Sequence, residues 1–215
     1  MKNLIGALLL IAVSSMTAGC GGDSGSSNTI GGPSCGVGPC GGDVVGTWNV
    51  TDICLSRSIL MSTFAGELMG SCPGASVGNS DAGPSGLFVF NTDSTYSLDF
   101  TMTLSLGMNF PLSCFPAGTT CADLDAAFKQ QAAGDPSITS TACAGSGTCA
   151  CTIVEAPRQI TESGTYSVSG SSLLTTPTGG AADTQGYCVK DKNMTFSDTT
   201  PDPQNPVTAI VVTKP

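Results

Sequence analysis

The stretch Tyr96-Ser97-Leu98-Asp99-Phe100-Thr101-Met102-Thr103-Leu104-Ser105-Leu106-Gly107-Met108-Asn109-Phe110 alternates without a break. Apolar side chains hold every even position, and small or polar residues hold every odd one. A β-strand turns successive side chains to opposite faces, so the pattern predicts a strand with one buried face and one wet face. The same residues on a helix would scatter around its axis. A run of 15 residues extends to about 50 Å, well past an ordinary strand. A bend is therefore expected, and Gly107 is the residue that best admits one.

Working outward, Val44 to Thr51 reads as a first strand with Trp48 and Val50 on one face. Ser71 to Gly86 is rich in Gly, Ser and Pro and reads as a loop. Beyond the long strand, short signals recur at Thr152–Val154, Gly164–Val168, Ser172–Thr175, Tyr187–Val189, Met194–Phe196 and Val207–Val212. Turn residues such as Gly170, Asp191 and Asn193 lie between them. Short strands at regular spacing predict a mainly β meander closed as a barrel or sandwich.

One region, about 111–150, departs from this. Thr120-Cys121-Ala122-Asp123 has the form of a helix capping box with Asp in the usual Glu place. Leu124, Ala127 and Phe128 follow at helical spacing, and Gly134 and Pro136 end the element. The expectation is an insertion carrying one short helix.

The N-terminus has its own logic. Lys2, the apolar run Leu4 to Val13, and small residues leading to Ala18-Gly19-Cys20 form an export signal too short to span a bilayer. The run resembles a bacterial lipoprotein signal. That resemblance implies removal of residues 1–19 and lipid attachment at Cys20, which would be the link to a membrane. Ordinary cleavage nearby is the alternative and would leave Cys20 a free thiol. Gly21 lacks the Asp that marks inner-membrane retention in that family, which implies the outer membrane where a cell has two. Residues 20–43 then read as a tether, since nine of the 23 residues after Cys20 are Gly and four are Ser. Gly22-Asp23-Ser24-Gly25 matches the surroundings of a trypsin-like nucleophile, but the chain has no histidine to act as its base.

Composition narrows the function classes. The formal net charge is −9, and an acidic surface repels nucleic acid. The absence of histidine removes the commonest general base and metal ligand. Asp123 and Asp125 diverge on a helix, and Asp198 and Asp202 lie in no spaced calcium-loop motif. No catalytic group, cofactor or metal site is expected.

Eleven cysteines are an odd number. With Cys20 set aside, Cys35, Cys40, Cys54, Cys72, Cys114, Cys121, Cys143, Cys149, Cys151 and Cys188 remain as candidates for five disulfides in an exported protein. The spacing leaves their connectivity open. Parity adds one constraint: Cys114, Cys121, Cys143, Cys149 and Cys151 are five, so at least one must bridge out of the insertion. A metal site at Cys149 and Cys151, two apart on a strand, is the alternative.

Four strings in order resemble the small lipocalin-like domains of bacterial lipoproteins. They are Gly46-Thr47-Trp48, Phe90-Asn91-Thr92-Asp93-Ser94-Thr95-Tyr96, Gly164-Thr165-Tyr166-Ser167-Val168-Ser169-Gly170 and Met194-Thr195-Phe196. The resemblance implies an antiparallel up-and-down β-barrel over 44–215, with Trp48 plugging one end beneath Lys214. It also implies a lumen lined by Trp48, Tyr96, Leu98, Phe100, Met102, Leu104 and Leu106. Two functions follow as expectations: a non-catalytic structural or interaction module of the cell envelope with a protein partner, or a carrier of a small hydrophobic ligand.

Overall fold

The structure, a computed structural model, describes residues 29–64, 72, 74–198 and 206–215. The signal, Cys20 and the start of the tether lie outside these residues. Among the described residues twelve strands are present: β1 (Thr29–Ile30), β2 (Gly46–Ser56), β3 (Ser76–Val77), β4 (Asp81–Phe90), β5 (Thr95–Pro111), β6 (Ile138–Ser146), β7 (Thr148–Glu155), β8 (Arg158–Ser169), β9 (Ser172–Pro177), β10 (Asp183–Lys190), β11 (Asn193–Asp198) and β12 (Val207–Thr213). Two α-helices accompany them, α1 (Arg57–Phe64) and α2 (Cys121–Ala132).

Eight of the strands close on themselves. The order β2-β4-β5-β8-β9-β10-β11-β12 returns to β2, every pair is antiparallel, and each strand neighbours the next one in the barrel. This is the mainly β, up-and-down barrel expected above, and it is compatible with a lipocalin-like fold. Closure removes the free edges that make open sheets prone to aggregation. A single apolar core joins Trp48, Val50, Phe88, Phe90, Phe100, Leu173, Tyr187, Met194, Phe196 and Val212.

The long strand is unbroken over 17 residues, and its register shows no bulge. It exceeds ordinary length because it serves two bodies. Thr95 to Met102 pair with β8 inside the barrel, and Ser105 to Pro111 pair with β7 outside it. Gly107 has a different role from the expected bend: a Cβ there would stand 2.0 Å from the carbonyl oxygen of Asn79. The backbone of 78–80 crosses directly over it, with Gly78 N–H donating to Gly107 O and Gly107 N–H donating to Ser80 Oγ.

The far end of β5 founds a second lobe with β3, β7, β6 and α2. Met108, Phe110, Cys121, Leu124, Cys149, Cys151 and Ile153 form its own core. The capping box is complete: Thr120 Oγ1 accepts from Asp123 N–H, and the Asp123 carboxylate accepts from Thr120 N–H. The insertion therefore holds more than the expected helix. β6 lies wholly within it, and β7 begins at Thr148 inside the anticipated boundary of 150.

One further reading needs correction. Asp81 to Gly86 belong to β4 and not to a loop. β2 pairs only with Leu87–Phe90, so Asp81–Gly86 have β5 on one side alone, where Pro84 withholds no needed donor. The segment from Ser56 also holds α1, with Ile59 N–H donating to Ser56 Oγ.

The described part of the tether, residues 29–43, is a strap on the barrel's outside. Thr29 and Ile30 pair with Ser56 and Leu55 at one end of β2. Gly41 bridges Cys188 near the turn at Gly170, at the opposite end. Cys35–Cys54 and Cys40–Cys188 fasten it.

Candidate functional site

The two ends of the barrel are built differently. At one, Trp48 is fully buried and its indole N–H donates to Val44 O at 2.8 Å. Lys214 Nζ sits 4.6 Å from the ring, and the ring face attracts the cation. Tyr187 is buried beside this end, and its hydroxyl donates to Gly42 O at 2.9 Å. This end is closed by packed side chains.

Toward the other end the core opens into a cavity of about 320 Å³. Tyr96, Leu98, Phe100 and Met102 line it from β5, which follows directly from their even spacing. Phe88 and Phe90 of β4 and Phe196 of β11 complete an aromatic floor. Phe88 lies 5.7 Å from Phe100 and 5.5 Å from Phe196 by ring centroids. Ile53, Ile160, Leu173, Val207 and Ile210 supply aliphatic wall from four other strands. Apart from Pro177, the remaining lining is polar: Glu162 of β8, Thr175 of β9, and Asp183 and Gln185 of β10. Glu162 and Asp183 are exposed, so this side of the cavity reaches solvent.

Four of the anticipated lumen residues therefore meet at the cavity, and three do not. Trp48 fills the closed end. Leu104 and Leu106 are buried in the barrel core but lie past Met102, where β8 ends its pairing with β5 and the cavity stops. Most of the polar set escaped sequence reading because Glu162, Asp183 and Gln185 lie on strands that looked too short. β8 runs from Arg158 and β10 from Asp183, well before the motifs that revealed them.

The Tyr96 hydroxyl donates to Glu162 Oε1. Burial, together with this bond to a carboxylate, pushes the phenol well above its ordinary range. It stays a neutral donor, and Asp183 adds to the effect through its charge.

The ten cysteines among the described residues form five disulfides: Cys35–Cys54, Cys40–Cys188, Cys72–Cys114, Cys121–Cys149 and Cys143–Cys151. Cys149 and Cys151 take different partners, so neither thiolate is free to ligate a metal. Cys114 provides the bridge out of the insertion, and its partner lies in the long β2–β4 connection. The eleventh cysteine of the sequence is Cys20.

No family model, curated protein or solved structure matches this chain.

Proposed function

We propose that this protein is a non-catalytic, exported carrier that holds a small hydrophobic ligand in its barrel. The observation that carries the reading is the cavity of about 320 Å³, which falls at the small end of the range of ligand pockets. Its wall is mostly aromatic and aliphatic, with a few convergent polar groups on one side, as expected where burial gives affinity and polar atoms give orientation. Five disulfides suit an oxidising compartment. Lipid on Cys20 would anchor the carrier to the envelope, and with all ten other cysteines paired that residue is free for it.

Binding is tested by calorimetry and thermal melting with small apolar probes, using the disulfide-bonded protein. Probes are expected to raise Tm, and Leu98→Trp, which fills the cavity from a half-buried position, is expected to abolish the effect. Probes that leave Tm and heat unchanged would overturn the reading. Cys20→Ser is expected to release the protein from membranes; a variant that stays bound would overturn the anchor.

A second reading, an interaction module of the envelope, draws on the second lobe. That lobe has its own core and three disulfides, and the barrel needs neither for closure.

A further inference from the structure

The charges in the cavity lining all have one sign. Glu162 and Asp183 lie in its lining, while no lysine or arginine does. Lys190 lies at the β10–β11 turn, outside the lining, and the other described basic residues lie outside it too. Lys214 lies over Trp48 at the closed end, Lys129 pairs with Asp125 in the second lobe, and Arg57 donates to Val77 O. Lys192 donates to Pro215 O. Arg158 stands opposite Met102 at the start of β8, exposed to solvent and outside the lining.

The aromatic floor has the same preference. Phe88, Phe90, Tyr96, Phe100 and Phe196 border the cavity, and ring faces carry the negative part of the aromatic quadrupole. A cation within reach of such faces is stabilised, more so when desolvated.

From these observations we infer that the lumen selects a hydrophobic cation, an ammonium or quaternary ammonium head on a short apolar body. The inference rests on the reading of the lumen as a ligand site. The apolar body would lie against Phe100, Met102 and Leu173, and the head between Glu162 and Asp183. The Tyr96 hydroxyl occupies one oxygen of Glu162 and holds that carboxylate in place. A fatty-acid anion would meet two carboxylates with no cation to offset them, an arrangement that selects against it by repulsion. A neutral chain would gain only the apolar contacts.

The test compares octyltrimethylammonium, octanol and octanoate, each below its aggregation threshold, by calorimetry on the disulfide-bonded protein. The ammonium is expected to bind about tenfold or more tightly than octanol, the worth of one desolvated cation site, with octanoate weakest. Added salt should weaken the ammonium alone. Glu162→Gln with Asp183→Asn should remove the ammonium's advantage and leave octanol unchanged, the octanol heat showing that the variant is folded. Should the double variant lose octanol as well, Asp183→Asn alone and the salt series decide. Octanoate equal to or tighter than the ammonium, or an ammonium affinity indifferent to both salt and Asp183→Asn, would overturn the inference while leaving the lumen reading intact. If none of the three bind, the lumen reading itself falls, and the inference with it.

Discussion

Single residues of this chain are informative where an atom is missing or a proton is held. Gly107 is the first kind. The alternation around it predicted the strand, but the reason for glycine lay in residues 78–80, nearly thirty positions earlier, and no local pattern announces such a contact. Gly107→Ala must displace backbone, since Asn79 O stands 2.0 Å from the new Cβ. We expect a loss of about 1–3 kcal/mol, typical of overpacking, read as a lower denaturant midpoint. The tyrosines are the second kind. Tyr96, Tyr166 and Tyr187 are all held above the ordinary phenol value of 10.0, in each case chiefly by burial. A raised folded-state value favours the neutral form, so this stability is complete below pH 10 and declines as pH rises through and beyond it. Phenolate absorbance should therefore appear late in an alkaline titration and together with unfolding. Tyr96→Phe should flatten the alkaline loss, and an early phenolate signal with the fold intact would contradict this account.

Elements were legible in proportion to how self-contained their signals are. α2 carries its start in four consecutive residues, and the capping box appears as read. Thr120→Ala removes the side chain that accepts Asp123 N–H and should cost about 1 kcal/mol. Thr120→Ser should restore most of it, as thermal melting would show. Asp123 has its carboxyl held below the usual range by Thr120, so this support is present above the unfolded value and fades as pH falls through the folded one. By contrast β6 was invisible. Its sequence, Ile138-Thr139-Ser140-Thr141-Ala142-Cys143-Ala144-Gly145-Ser146, holds few large apolar groups, because it is an edge strand most of whose residues are exposed. β4 went unread for a related reason. Gly83, Pro84 and Gly86 look like loop residues, yet one-sided pairing tolerates them. The other barrel strands were found by their motifs, most of them undercounted in length, and Glu162, Asp183 and Gln185 of the polar rim were lost with the missing residues.

At the scale of the whole molecule, the disulfides set how the parts depend on one another. Cys40–Cys188 spans 148 residues and Cys143–Cys151 spans eight. In the chain-entropy picture a longer closed loop contributes more, about 5 kcal/mol against about 2.5 when each acts alone. Replacing both members of the first pair by Ala should lower the unfolding midpoint more than replacing both members of the second. Equal losses would show that strap and lobe are stabilised by packing instead. Sequence parity required one bridge to leave the insertion but could not say which, since pairing is decided by strand neighbours distant along the chain.

The strap's route fixes a direction. Its first residues, Thr29 and Ile30, lie beside Leu55 and Ser56, at the end of the barrel away from Trp48. That is the end toward which the cavity opens, with Ile53 and Val207 on its wall. Between Cys20 and Thr29 the chain can span no more than roughly 30 Å fully extended. A lipid on Cys20 would thus keep the start of the strap, and with it the mouth end of the barrel, within roughly 30 Å of the bilayer.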